Sequence, residues 1–168
     1  MREWIAKLEK AGELARARRE VDARLAPALI ARAPGAALFE KVSGFEMGIV
    51  GGLASTRRRI AVGMDCTEND IGKKFQHGMD HPIDPVVGGA DAWDVTLTGD
   101  EVDLTRIPIP VLHEKDGGPY ISSGVVVARD PESGARNAGV YRLMYRGPGT
   151  TSIDLVSHSD LRTFHQRN

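Results

Sequence analysis

Asp116-Gly117-Gly118-Pro119-Tyr120-Ile121-Ser122-Ser123-Gly124, then Asp130-Pro131-Glu132-Ser133-Gly134, then Asn137-Ala138-Gly139-Val140-Tyr141-Arg142 decide how this chain folds. The β-branched run Val125-Val126-Val127 suits a buried strand from Ile121 to Arg129. Asp130 offers a carboxylate that can cap a turn, Pro131 a fixed φ, and Gly134 a backbone free to take positive φ, so a hairpin is expected there. The second strand runs from Asn137 to about Tyr145. After Gly147-Pro148-Gly149 a third follows, Ser152-Ile153-Asp154-Leu155-Val156, and the meander forms part of a sheet or barrel wall.

The residue types on that wall suggest chemistry. Asn137 offers a neutral carbonyl oxygen suited to a hard divalent cation, and its amide can donate to phosphate; His158, just after the third strand, offers an imidazole nitrogen. Together they can hold Mn2+ or Mg2+ against a phosphate. Ala138 and Gly139 leave room for a flat cofactor, and Arg142 can grip a carboxylate with a two-pronged hydrogen bond. Each also has a plainer reading: Asn137 as a turn residue, His158 as an ordinary end-of-strand histidine, Arg142 in a surface ion pair.

Towards the N-terminus, Trp4, Ile5, Leu8, Ala11 and Leu14 recur near helical spacing among charged residues, an amphipathic first helix that Gly12 weakens or ends. Pro27 can open a second helix, which Pro34-Gly35 stops before the short apolar run Ala36-Ala37-Leu38-Phe39, a buried strand. Met47 to Leu53 leads to Ser55, the expected N-cap of a helix reaching about Met64, with Gly51-Gly52 as a bend. Arg57, Arg58 and Arg59 stand in that helix's first turn, where the macrodipole disfavours cations. Either an anionic ligand or partner compensates them, or solvated arginines meet nearby carboxylates.

From Cys66 to Gly89 the sequence is polar. His77 and His81 have a spacing that suits zinc on one helical face, but Gly78 and Pro82 argue against a firm helix, so this stretch is read as a surface or interface loop. Cys66 has no base attached by spacing and is not read as a nucleophile. Trp93-Asp94-Val95-Thr96-Leu97 alternates like a strand and Thr98-Gly99-Asp100-Glu101 is a turn. In Ile107-Pro108-Ile109-Pro110 the prolines favour an extended connector, read as the passage between two domains.

With 168 residues the chain can bury one sizeable core, or a small domain and part of another. Charged residues make up 27% and nearly cancel, to a net charge of -1, so no global field draws the protein to nucleic acid or anionic membrane. The single Cys66 excludes an internal disulfide framework. No apolar run approaches the ~18 residues of a membrane span. Met1-Arg2-Glu3-Trp4-Ile5 lacks the apolar segment of a secretory signal, and a cytoplasmic protein is expected.

The blocks Asp116 to Ile121, Asp130 to Gly134, Asn137 to Arg142 and Val156-Ser157-His158 resemble, in this order, consecutive blocks of the UbiD-like decarboxylases, which use prenylated flavin mononucleotide. Leu38-Phe39-Glu40-Lys41-Val42 and Asp103 to Ile109 resemble that family's N-terminal region, so the likeness covers nearly the whole chain. It implies an α+β protein with an N-terminal α/β domain over residues 1–107 and the incomplete start of a flavin-binding split β-barrel over residues 108–168. The activity it implies is reversible non-oxidative decarboxylation of aromatic or α,β-unsaturated acids. Asn137 and His158 then match metal-ligand positions for Mn2+ or Mg2+, with K+ a further candidate ion. Ala138 and Val140-Tyr141-Arg142 line the prenylated flavin, and Leu155, Val156 and Ser157 continue its wall. Arg142 matches the arginine of a catalytic Glu-Arg-Glu group, where it binds the substrate carboxylate and orients a proton-transferring acid. Many relatives have Arg-Gly-Gly after the histidine, whereas this chain has Ser159-Asp160-Leu161.

Family enzymes continue well beyond this length, and the further part carries the third metal ligand, both catalytic glutamates and the domain that usually makes the dimer. Ser159 or Asp160 caps a starting helix, Leu161 to His165, that is cut after about two turns. The expectation is therefore a fragment or subunit, completed by a C-terminal part or a complementary chain, oligomeric in the full assembly and inactive alone. Two other readings stay open: a non-catalytic binding or assembly module that keeps the fold, and a structural protein whose arginine-rich helix docks a partner.

Overall fold

Trp4, Ile5 and Leu8 lie on helix α1 (Arg2–Lys10), and Leu8 is completely buried. The computed structural model describes residues 1–86, 88, 94–155 and 158–168. Gly12, at φ 71°, takes the left-handed conformation that ends the helix. Leu14, expected on the helical stripe, therefore opens strand β1 (Leu14–Ala17) instead. Its partner β2 (Ala36–Phe39) runs parallel, with Leu14 opposite Ala36 and Ala17 opposite Phe39. A β-carbon on Gly35 would stand 2.6 Å from the Glu13 carbonyl oxygen, so only glycine lets β2 start this close to β1.

Pro27 sits in the first turn of α2 (Ala26–Arg32), where its missing N–H costs nothing. β3 (Ile49–Gly51) pairs antiparallel with β2 and completes a sheet of order β1-β2-β3. Ala26, Ala37, Phe39 and Val42 form the buried core under it, with Ile30, Phe45 and Ile49 packed around them. The bend at Gly52, φ 73°, leads to α3 (Arg57–Gly63). Its N-cap is Thr56 rather than the expected Ser55: the Thr56 hydroxyl accepts from the Arg59 amide at 3.3 Å, and Ser55 belongs to the preceding turn through its amide bond to the Gly52 carbonyl.

Two of the three arginines are compensated by a carboxylate, and the third is hydrogen-bonded to a backbone carbonyl. Arg58 and Arg59 share Glu13, at 2.6 and 3.3 Å, and Arg57 donates to the Glu68 carbonyl at 2.7 Å. Arg59 is buried, not solvated, and also donates to the carbonyls of Gly52 and Pro34. Glu13 thus joins the end of α1, α3 and the two turns beside the sheet.

The stretch expected as a loop around His77 contains a helix, α4 (Ile71–Asp80). Gly78 lies near its end, where one glycine costs only about 1 kcal/mol, and Pro82 falls beyond the C-cap His81, where proline is compatible with a helix. Gln76 and Asp80, four apart, tie its last turn at 2.8 Å. The expected strand at 93–97 does not form over residues 94–97, since no strand pairs with them and an unpaired strand has no hydrogen-bond ladder; Trp93 lies outside the described residues. Among the described residues no helix is long and apolar enough to cross a membrane.

The chain divides into two units, Met1–Glu101 and Val102–Asn168. Residues 108–112 are without helix or strand, as the two prolines require. The second unit is the expected meander: β4 (Tyr120–Arg129), β5 (Arg136–Gly147) and β6 (Thr150–Ile153), in that order and antiparallel throughout. The third strand starts earlier than expected and ends at Ile153; Val156 lies outside the described residues. The valine run is not a buried strand: Val126 turns inward while Val125 and Val127 are 65% and 68% exposed, because alternation sends them to an uncovered sheet face. Helix α5 (Asp160–Arg167), capped by Ser159, packs against β4 and β5.

Asp130 holds the hairpin turn. Its carboxylate is buried and accepts from the Ser133 hydroxyl at 2.6 Å, from the Glu132 amide at 3.3 Å and from Arg167 of α5 at 2.6 Å. The Ser133 hydroxyl above all, then the Glu132 amide and Arg167, keep its carboxyl below the ordinary value of 3.8. A folded-state pKa below the unfolded one contributes stability that is complete above the unfolded pKa and is lost as pH falls through the folded pKa. Protection of the β4 and β5 amides, taken relative to their intrinsic exchange rates, is therefore expected to fall on acidification below about pH 4. Asp130→Asn should start with faster exchange and lose this acid response; an unchanged response would assign it to other carboxylates.

Candidate active site

Strand β5 carries most of the site residues expected from sequence, and the register sorts them onto two faces. Val125 stands opposite Val140, Val127 opposite Ala138, and Ala128 opposite Asn137. Ala138, Val140 and Arg142 therefore share one face with Val125 and Val127; Asn137, Gly139 and Tyr141 share the other. Val140 is 71% exposed, so the first face presents an uncovered strip of three valines and an alanine, continued along β5 by Arg142, Met144 and Arg146. On the second face a β-carbon at Gly139 would stand 2.6 Å from the Tyr141 ring, so the space that Gly139 leaves is taken by Tyr141 and only Ala138 leaves room beside the valines.

Beyond the strip, Tyr120, Arg142, Met144, Arg146 and Ser152 line a cleft of about 370 Å³. Arg146 donates from Nε to the Ser152 hydroxyl at 3.1 Å, which fixes its stem. Gly117 and Gly118 pass close to Met144: a β-carbon on either would lie 3.2 or 3.1 Å from its methyl group. Arg142, Arg146 and the Asp154 carboxylate all line this cleft, and a guanidinium fork suits a carboxylate or a phosphate. Sequence reasoning missed Arg146, which lines the same cleft as Arg142; the register is irregular between Tyr145 and Gly147, so the spacing alone does not place it there.

Asn137 lies at the opposite end of β5. Five residues of strand, about 17 Å, separate it from Arg142. Its side-chain amide donates to the Asp160 carboxylate at 2.8 Å. His158 is exposed and stands two residues before Asp160, so at most about 7 Å of chain lies between them. The structure thus brings Asn137 and the His158 segment to one end, and Arg142 with Ala138 and Val140 to the rest of the strand. Leu155 is half-buried between β6 and His158; Val156 and Ser157 lie outside the described residues.

A neutral amide oxygen and an imidazole fit a hard divalent cation whose remaining ligands are phosphate, water or further protein oxygens. Among the described residues no group of three or more His, Cys, Asp or Glu side chains converges as a metal site. That includes α4, where the His77 and His81 rings stack at 4.3 Å.

Two family models match the chain: the 3-octaprenyl-4-hydroxybenzoate carboxy-lyase N-terminal domain over residues 5–79, and the Rift-related domain of the same carboxy-lyase over residues 87–168. An uncharacterized protein in the cooM 5' region of Rhodospirillum rubrum is 37% identical over 159 residues, 90% of this chain and 34% of that protein. Anhydromevalonate phosphate decarboxylase of Methanothermobacter thermautotrophicus is 36% identical over 110 residues, 64% of this chain and 25% of that protein. An evolved dimeric form of the UbiD-class enzyme HmfF from Pelotomaculum thermopropionicum, solved in complex with prenylated FMN, superposes with a TM-score of 0.89 at 35% identity, over 97% of this chain and 39% of that one. The chain spans about a third or less of the curated relatives it matches. Its α+β architecture, with an N-terminal α/β region and an open sheet β4-β5-β6, matches the start of the split-barrel fold of that class. This chain belongs to the UbiD-like family, as its N-terminal portion.

Proposed function

We propose that this UbiD-like chain is the N-terminal part, or a subunit, of a reversible non-oxidative decarboxylase that acts on aromatic or α,β-unsaturated carboxylic acids with prenylated FMN. The observation that carries this reading is the uncovered strip of Val125, Val127, Ala138 and Val140 leading to Arg142, in a chain whose fold superposes on an enzyme bound to that cofactor. The strip takes the flat ring system and keeps water from it; Ala138 leaves the closest approach. By the family resemblance Leu155, Val156 and Ser157 would also line the flavin, as would Tyr141, whose ring lies beside Gly139 on the other strand face. Asn137 and His158 would hold a divalent ion, Mn2+ or Mg2+, through an amide oxygen and an imidazole nitrogen, with K+ a further candidate ion.

The cofactor, when bound, supplies the electron sink for loss of carbon dioxide. Arg142 binds the substrate carboxylate through its fork and sets it over the strip, which fixes orientation and compensates charge. Proton transfer falls to acids of the remaining part of the enzyme or of a complementary subunit, and the isolated chain has no turnover.

Native mass spectrometry of the chain purified from its own host tests this. The expected result is a complex that contains a larger partner part, a flavin and a divalent metal, and that releases carbon dioxide from a small unsaturated acid. A chain recovered with a partner but without flavin or metal would overturn the reading in favour of an assembly module.

A further inference from the structure

We infer that Asp160 is a positioning residue for the metal: it selects which end of the Asn137 amide faces the cation. The inference rests on the metal reading of Asn137 given above. A primary amide has a donor end and an acceptor end of nearly equal size, and its terminal torsion is broad and roughly two-fold, so an unrestrained asparagine presents either one. Only the carbonyl oxygen can ligate a cation. Here Nδ2 of Asn137 donates to Oδ2 of Asp160 at 2.8 Å. The opposite orientation would set the carbonyl oxygen against a carboxylate oxygen, two acceptors with no proton between them. Asp160 therefore holds the NH2 group towards α5 and leaves the carbonyl oxygen for the ligand side.

The placement of Asp160 is itself built. The Ser159 hydroxyl accepts from the Arg162 amide at 3.3 Å, and the Ser159 carbonyl accepts from the Thr163 amide at 3.1 Å, so α5 begins at Asp160 and its carboxylate projects from the first turn. A carboxylate is favoured there by the helix dipole. At its other end α5 is anchored by Arg167, which reaches Asp130 at 2.6 Å and Glu132 at 3.3 Å on the hairpin turn. The helix thus spans the hairpin turn and the metal end of β5, and Asp160 joins it to the ligand. This chain thus orients its asparagine with a carboxylate.

The test is Mn2+ titration of the assembled protein, read from the electron paramagnetic resonance signal of free Mn2+, for the parent, Asp160→Ala, Asp160→Asn, Asn137→Ala and the double variant Asn137→Ala/Asp160→Ala. Removal of a partner that orients a ligand typically weakens metal binding about tenfold to a hundredfold, and that loss is expected for Asp160→Ala. Asp160→Asn keeps an acceptor oxygen at the same place and should restore most of the affinity. In the Asn137→Ala background Asp160→Ala should add nothing, whereas a purely structural effect through α5 would add its loss there too. Equal affinity in Asp160→Ala and the parent would overturn the inference while leaving the metal site standing. A parent that binds no Mn2+ would overturn both.

Discussion

Arg142→Lys, in the assembly that contains this chain, is expected to lower turnover about a hundredfold to a thousandfold, the range found when a single oriented donor is removed from a reacting anion. The guanidinium is planar, permanently charged and offers paired N–H groups to a carboxylate, whereas an ammonium at the end of a flexible stem offers a point charge without the fork. Arg142 stands on the strand face that carries Val140 and Ala138, and it lines the cleft that also holds Arg146 and Tyr120. Lysine would retain the charge but lose the orientation of the carboxylate over the strip. The loss should fall on kcat as well as kcat/KM, since binding alone is only partly impaired. Flavin and metal content, and the melting temperature, should stay at the parent's values because Arg142 is exposed and the strand pairing does not depend on its head group. Near-normal turnover of the lysine variant would remove Arg142 from the reaction and reduce it to a surface cation.

Glu13→Ala is expected to destabilise the first unit by about 3–5 kcal/mol, the usual loss when one member of a buried ion pair is removed and the other keeps its charge. The Arg59 side chain is only 9% exposed and has Glu13 as its anionic partner at 3.3 Å; its other acceptors are the carbonyls of Gly52 and Pro34. Those two can satisfy N–H groups but cannot neutralise a cation. Arg58 would lose its partner too, though at a more exposed site where the loss is small. Glu13→Gln, which keeps the shape and one acceptor, should fall between the parent and Glu13→Ala. Trp4 reports on the same place, because its indole nitrogen donates to the Arg59 carbonyl at 3.2 Å. Urea unfolding followed by tryptophan fluorescence is therefore the measurement, and a loss below about 1 kcal/mol would mean that Arg59 relaxes into water without cost.

The elements legible in the sequence are those whose cause is local. Asp130, Pro131 and Gly134 set a turn through their own side chain, ring and backbone freedom, and β4 and β5 follow on either side of it. Pro27 and the pair Pro34-Gly35 bound α2, and Ser159 caps α5, for the same kind of reason. The order of the sequence blocks around Asn137, Arg142 and His158 was enough to name the family, because it summarises many residues at once. Single local cues were weaker where a neighbour competed. Ser55 and Thr56 are both good caps, and the turn at Gly52 took the first, so the second capped α3.

What the tertiary structure alone decided depends on residues far apart in the chain. Leu14 left the helical stripe because β2, more than twenty residues later, offered it a partner. Residues 94–97 alternate like a strand yet lack one. The sequence leaves open whether an anionic ligand or a nearby carboxylate meets the arginine cluster; the carboxylate that meets Arg58 and Arg59 is Glu13, 46 residues from Arg59 in the chain. The two faces of β5, which separate Val140 and Arg142 from Asn137 and Tyr141, follow from a register set across the hairpin, and the bond from Asn137 to Asp160 crosses a 23-residue separation. Local preferences act within a turn or two of backbone and can be read residue by residue. Pairing, burial and charge compensation depend on which distant groups the folded chain brings within a few ångströms, and no spacing rule carries that information.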